Sequence, residues 1–235
     1  MKIMGLMKTS LVDWDGKTSM VLFLGGCNFR CPFCHNSELV HEDPSLEEIA
    51  IEEVLEMLSG EGEGWRDAVV ITGGEPMMHP EVFGLCSRLK EAGIAVKMDS
   101  NGYFPYPLKR LIEQGLCDYV AMDIKAPLNE KYSVAAGRKV EPDVLRRSIR
   151  VLKESGIGYE FRTTLVPGLV DPEDIPAIGK EVEGAPLLVL QPYEPDRAAA
   201  PGFRKLKSYT PEEARAMAQE LGRFVKEVRL RGRYA

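Results

Sequence analysis

Three cysteines fall within eight residues of one another in the stretch GGCNFRCPFCHN, Gly25 to Asn36. Cys27, Cys31 and Cys34 have the spacing C-x3-C-x2-C, too close for three independent structural roles. Structural zinc usually takes four ligands from two separated pairs. A fourth ligand would have to be His35, awkwardly adjacent to Cys34, or the distant Cys86 or Cys117. Cys86 lies on the apolar face of an expected helix and Cys117 at the start of an expected strand, so both read as small core hydrophobes. The spacing suits a [4Fe–4S] cluster better. Its irons normally take four thiolates, and three would leave one iron open. Open coordination marks a catalytic metal rather than a structural one. A non-catalytic iron–sulfur or zinc protein, used for electron transfer or binding, is the alternative.

The other residues able to do chemistry cluster in short motifs. In TGGEP, Gly73 and Gly74 let a backbone approach a ligand closely, and Glu75 can offer a carboxylate to an ammonium group. The same residues also suit an ordinary strand-to-helix turn. In DSNG, Asp99, Ser100 and Asn101 precede Gly102, and Asn-Gly is also a plain turn signal. Asp123 and Lys125 alternate with Ile124, so both can point the same way, toward a ligand or into an ion pair. Arg162 sits inside an expected strand, where a charge needs a partner. His79 reads as a capping or surface residue. Gln191 opens QPYEPD at the end of the last expected strand.

The elements that must hold these motifs alternate regularly. Strands are expected at 19–24, 67–71, 94–99, 118–123, 159–165 and 186–191, several as continuous apolar runs that suit parallel strands buried on both faces. Between them lie helical patterns. Ser45 with Glu48 reads as a capping box ahead of Ile51, Val54, Leu55 and Leu58. Pro80 opens a helix with the face Val82, Leu85, Cys86 and Leu89. Leu145, Ile149 and Leu152 mark another. Thr210, Pro211 and Glu213 start the last, whose stripe is Ala214, Met217, Ala218, Leu221 and Val225. Helices are also expected around 106–114 and 172–182. Repeated strand–helix units imply a parallel sheet with right-handed crossovers. Six units make an α/β fold of the partial (β/α)6 TIM-type barrel, with a flat doubly wound sheet as the alternative. Every chemical motif then falls at a strand's carboxyl end, where such folds place their sites.

One domain over residues 1–235 is expected, with a core at about 18–195 followed by a C-terminal helix and tail at 196–235. Hydrophobic residues at 44% and charged residues at 28% describe a globular chain. No apolar run approaches the ~20 residues that span a bilayer. The N-terminus lacks the apolar run of a secretion signal, so a cytoplasmic location is expected, where clustered cysteines read as metal-binding or redox-active. A net charge of −6 argues against a general nucleic-acid binder. The tail VKEVRLRGRYA is the basic exception, read as a solvated last helix and strand rather than a docking surface for an acidic partner.

The cysteine spacing, with Phe33 before the last cysteine and GGE after the next strand, resembles the radical S-adenosylmethionine superfamily. Together with TGGEPMMHP, DSNG, DIK and RTTLVPG it resembles the activating enzymes of glycyl radical enzymes. The resemblance covers residues 10–195. It implies that Cys27, Cys31 and Cys34 hold a [4Fe–4S] cluster and that S-adenosylmethionine chelates the open iron. Reductive cleavage would then yield a 5′-deoxyadenosyl radical that takes hydrogen from a backbone glycine of a partner enzyme.

The resemblance also implies residue roles. The Gly73–Glu75 loop would hold the cofactor amine. Asp99 and Asp123 would lie near the cofactor carboxylate, where some relatives bind a monovalent cation, and Lys125 would neutralise that carboxylate. Arg162 would reach the cofactor, and Phe33, Asn36, Ser100, Asn101 and Gln191 would complete the binding set, with His35 and Asn36 next to the cluster. The implied electron donor is a flavodoxin or ferredoxin. Where some relatives carry a histidine after the last strand, this chain has Gln191, Tyr193 and Glu194. A small molecule, nucleoside or peptide is the alternative substrate.

Overall fold

Apolar residues crowd the strands of this chain because both of their faces are covered. In the computed structural model, which describes residues 1–59 and 67–235, the expected strands all form. They are β2 (Ser19–Leu24), β3 (Ala68–Gly73), β4 (Ala95–Ser100), β5 (Tyr119–Asp123), β6 (Gly158–Leu165) and β7 (Leu188–Pro192). Two further strands extend the set, β1 (Ile3–Ser10) and β8 (Val228–Leu230). Strand order in the eight-stranded sheet follows chain order. β1 runs antiparallel to β2, whereas β2–β3, β3–β4, β6–β7 and β7–β8 are parallel pairs. The sheet is therefore mixed but mostly parallel, and the fold is α/β.

The helices, in chain order, are α1 (Ser37–Val40), α2 (Ile51–Ser59), α3 (Val82–Glu91), α4 (Pro105–Glu113), α5 (Glu130–Ala136), α6 (Pro142–Glu154), α7 (Ile175–Glu181) and α8 (Pro211–Leu221). The faces expected for α3 and α6 are buried: Val82, Leu85, Cys86 and Leu89 on one, Leu145, Ile149 and Leu152 on the other. At α8 the Thr210 hydroxyl accepts from the Glu213 N–H while the Glu213 carboxylate accepts from the Thr210 N–H, a closed capping box. The box expected at Ser45 and Glu48 does not form. The Ser45 N–H donates instead to the Asp43 carboxylate, Ile49 bridges to Ile3, and α2 begins at Ile51.

The chain divides into two compact units. The first comprises Met1–Asn28, Asn36–Ser100 and Tyr106–Val120. Its core packs Val21, Ala68 and Val70 around Trp14, with Tyr119 against them. Lys97, only 1% exposed, sits inside the apolar run of β4. Its ammonium donates to the Asp13 carbonyl at 2.6 Å and lies 5.2 Å from the Tyr119 ring centre, so a buried cation is matched by a carbonyl and an aromatic face. The second unit comprises Phe29–His35, Asn101–Pro105 and Ala121–Ala235. Leu188, Val189 and Leu190 of β7 are fully buried there, and β8 brings part of the basic tail into the sheet. Three of the tail's cations have partners: Arg229 on Glu227, Arg231 on Glu160, and Arg233 on the Tyr193 carbonyl. The strand read in this tail forms, and Lys226, Glu227 and Arg233 around it are exposed. Among the described residues no helix is long and apolar enough to cross a membrane.

Candidate active site

In the first unit the end of β2 and the end of β3 are laced together. The Gly74 N–H donates to the Leu24 carbonyl at 2.8 Å, and the Glu75 N–H to the Gly26 carbonyl at 2.9 Å. Side chains are excluded from this crossing. Gly73 has φ +114°, and a Cβ on Gly74 would lie 1.7 Å from the Gly26 carbonyl oxygen and 3.4 Å from the Cys27 Cβ. The two glycines therefore hold the backbone carrying Cys27 against the TGGEP loop. Asn36 closes the same seam by donating its amide to the Gly73 carbonyl at 3.4 Å.

Glu75 is fully buried. One of its oxygens accepts from the Met77 N–H at 3.0 Å and from the Ser100 hydroxyl at 2.9 Å. Two donors on one oxygen fix the carboxylate's direction and satisfy part of its acceptor capacity. Asp99, on β4 beside Ser100, is 8% exposed. His79, expected as a capping or surface residue, is half-buried, and its Nε2 lies 2.8 Å from the Gly25 carbonyl oxygen. It tethers the start of the cysteine loop. Nothing local in the sequence announces this contact, because the partners are 54 residues apart.

The second unit carries Cys31, Phe33 and Cys34. The Cys34 N–H donates to the Cys31 carbonyl at 3.1 Å, so the two cysteines lie on one tight turn. Phe33 is buried and His35 half-buried. Burial lowers the His35 pKa, the nearby Arg197 charge adds to the effect, and its buried Nε2 has no hydrogen-bond partner. All five cysteines are thiols outside any disulfide; Cys27, Cys31 and Cys34 are half-exposed, whereas Cys86 and Cys117 are buried. The Cys117 thiol donates to the Tyr119 carbonyl at 3.0 Å, in keeping with a core role.

The same unit gathers the expected charged residues at the end of β5 and within β6. Asp123 accepts from the Lys125 ammonium at 3.0 Å on one oxygen and from the Arg162 Nε at 3.0 Å on the other. Desolvation works to raise the Asp123 pKa, but the two cations outweigh it and hold the carboxyl below its usual range. For Lys125, burial opposes the charge, yet Asp123 and the Cys31 sulfur raise its pKa on balance. Cys31, Lys125 and Asp123 thus belong to one electrostatic group. Tyr132 on α5 joins it, fully buried, with its hydroxyl 3.4 Å from the Asp123 carbonyl and its pKa pushed up by burial. Sequence reading missed both Tyr132 and α5. The signals were Asn129, whose side chain caps the Lys131 N–H, and Gly137, the left-handed residue that ends the helix. Asn101 caps a turn through the Tyr103 N–H at 3.0 Å, and Gln191 lies half-buried on β7 opposite Thr164. After β7, Tyr193 is buried with its hydroxyl on the Phe203 carbonyl at 2.6 Å, and Glu194 is exposed.

Among the described residues no group of three or more His, Cys, Asp or Glu is gathered to hold one metal ion. A four-iron cluster places each thiolate on a different iron, so its ligands stand further apart than ligands sharing one ion. The donor set fits such a cluster: three half-exposed thiols, one of them following the Gly26 carbonyl against which a side chain on Gly74 would collide.

Comparison with known proteins fixes the class. The model of the radical SAM superfamily matches residues 21–181, and the chain belongs to that superfamily of enzymes. Membership implies a [4Fe–4S] cluster and S-adenosylmethionine. In sequence the chain is 31% identical over 97% of its length to a Methanocaldococcus jannaschii protein described as a "putative glycyl-radical enzyme activating enzyme", covering 95% of that protein. It is 26% identical to the pyruvate formate-lyase-activating enzyme of Clostridium pasteurianum, over 82% of each chain. In structure it is similar to Streptococcus suis SuiB bound to precursor peptide SuiA, with a TM-score of 0.69 at 15% identity, over 90% of this chain and 48% of that one. The fold is of the partial (β/α)-barrel class.

Proposed function

We propose that this chain, as a single radical SAM domain, installs a glycyl radical on a partner enzyme. Cys27, Cys31 and Cys34 would supply the thiolates of the [4Fe–4S] cluster. Bound there, cluster and S-adenosylmethionine would supply reductive cleavage to a 5′-deoxyadenosyl radical and hydrogen abstraction from a backbone glycine. The chain's own task is to bind, orient and exclude water. Glu75, its direction fixed by Met77 and Ser100, offers a carboxylate to the cofactor ammonium. Lys125 and Arg162, tied to Asp123, offer positive charge to the cofactor carboxylate. Phe33, Asn36, Gly73, Gly74, Asn101 and Gln191 shape the remaining contacts. Asp123 already serves two cations, so Asp99 is the ligand this reading offers to a monovalent cation.

The observation that carries the reading is the backbone lacing of the Cys27 loop to the TGGEP loop, with a thiol beside a side-chain-free cradle. The sequence likeness to activating enzymes supports the protein substrate. A flavodoxin or ferredoxin would deliver the electron. The test is anaerobic reconstitution, then dithionite and S-adenosylmethionine. Formation of 5′-deoxyadenosine and methionine is expected, as is a glycyl radical signal in electron paramagnetic resonance when the correct partner enzyme is added. A well-formed cluster that gives neither small product sinks the reading, and so would Cys31→Ser retaining full activity.

A further inference from the structure

After β7 the chain makes a long excursion, Glu194 to Ser208, before α8 begins. It is anchored at both ends and in the middle. The Ser208 hydroxyl donates to the Tyr193 carbonyl, the Tyr193 hydroxyl donates to the Phe203 carbonyl at 2.6 Å, and the Ala200 N–H donates to the Pro32 carbonyl at 2.9 Å. Pro32 lies between Cys31 and Cys34, so this excursion is bonded directly to the cysteine turn. On the other side of that turn, the Arg30 N–H donates to the Ala136 carbonyl at 2.8 Å, which draws in Arg138. Arg138 stacks 5.4 Å from the Tyr103 ring centre, and Tyr103 in turn packs on Phe29.

These segments are strongly cationic. Arg30, Arg138, Arg197, Arg204, Lys205 and Lys207 are exposed on them, against the exposed acids Glu194 and Asp196. Glu194 meets one cation, Arg197, at 3.5 Å. Arg204 is held in place by donating to the Ala198 carbonyl at 2.7 Å. The whole chain carries a formal charge of −6, so this concentration of positive charge is local and opposes the average. A fixed cationic rim on a turn that holds two cysteines attracts acidic partners, speeds their encounter and selects their orientation.

We propose that this rim, the Glu194–Ser208 excursion with the Cys31–Cys34 turn and Arg138, is the docking face for an acidic one-electron donor protein. The inference rests on the proposed function, in which the three cysteines hold a cluster that must be reduced. A donor seated here approaches Cys31 and Cys34 through the segments bonded to their own turn. The donor's reduced centre loses one electron and the cluster gains it; no bond is made and no proton moves. Charge complementarity commits the partner to an acidic surface around an exposed redox group.

The test compares the reconstituted full chain with its Lys205→Glu/Lys207→Glu variant, two exposed positions outside the binding set. A flavodoxin and a ferredoxin serve as probes, with affinity measured by calorimetry at low and high salt. The variant is expected to bind the donor about tenfold more weakly at low salt, with the difference shrinking as salt screens the charges. Its thermal midpoint and its dithionite-driven cleavage of S-adenosylmethionine should match the parent. Equal affinity of parent and variant overturns the proposal, and so does binding that ignores salt. It also fails if charge reversal abolishes binding of RNA while the donor still binds. Dithionite bypasses the donor, so its failure would count against the proposed function, whereas the calorimetric result reports on the rim itself.

Discussion

Two kinds of cysteine coexist in this chain, and their surroundings separate them chemically. Burial pushes the Cys86 thiol up to about 12 and raises that of Cys117 further, while Cys27, Cys31 and Cys34 are half-exposed. Only a thiolate reacts with an alkylating agent. Iodoacetamide at pH 8 should therefore label those three in the cluster-free protein within minutes and spare Cys86 and Cys117 until it is unfolded, as peptide mass spectrometry would show. Asp123 supports a second expectation. Replacing it by Asn leaves two partly buried cations facing a neutral amide, at a cost of about 3 kcal/mol. The Asp123 pKa is lowered in the folded chain. Its stabilisation is thus present above the unfolded value of ~3.9 and is lost as pH falls through the folded value. Lys125 has the opposite sign: its raised pKa gives stability below ~10.4 that is lost at still higher pH. Urea titrations should show the parent losing its advantage over Asp123→Asn as pH drops below about 4. Equal stabilities at pH 7 would refute the shared-carboxylate account. Residue types announced these participants, but not that one carboxylate serves both Lys125 and Arg162.

Elements were legible where local chemistry and burial agree. The Thr210–Glu213 box closes because Pro211 and a buried stripe at Ala214, Met217 and Leu221 commit the same turn to helix. Thr210→Ala should cost about 1 kcal/mol, a fall of roughly 2–4 °C in thermal midpoint for a chain of this size. Glu213→Ala added to it should cost less than it does alone, since the box is reciprocal. Ser45 and Glu48 show the converse. Their spacing is right, but Ile49 bridges to Ile3 and the Asp43 carboxylate captures the Ser45 N–H, so a tertiary pairing outcompetes one helical turn. β1 escaped notice because its exposed run, Met7 to Thr9, breaks any apolar pattern. α5 escaped because seven residues are too few to show periodicity.

At the scale of the whole molecule, folding and cofactor binding are linked. A ligand that binds only the folded, cluster-loaded chain stabilises it by about 2.7 kcal/mol at a hundredfold excess over its Kd. S-adenosylmethionine should therefore raise the thermal midpoint of the reconstituted protein by several degrees, and raise that of a Cys27→Ser/Cys31→Ser/Cys34→Ser variant far less. Differential scanning fluorimetry under anaerobic conditions reads both. Equal shifts would mean that the cofactor binds without the cluster, against the proposed role of the three thiols. The placement of every chemical motif after a strand follows from fold class, because parallel strands deliver their carboxyl ends to one edge.

The sequence alone determined the cysteine spacing, the six parallel-type strands, the principal helix faces and the family, because each is written in neighbouring residues. Tertiary structure decided the rest. It tied His79 to Gly25, Glu75 to Ser100, Arg162 to Asp123, and Ala200 to Pro32. Each of those bonds joins residues at least 25 positions apart in the chain. No local periodicity encodes such a pairing. It exists only once the strands have paired in register and carried their ends together.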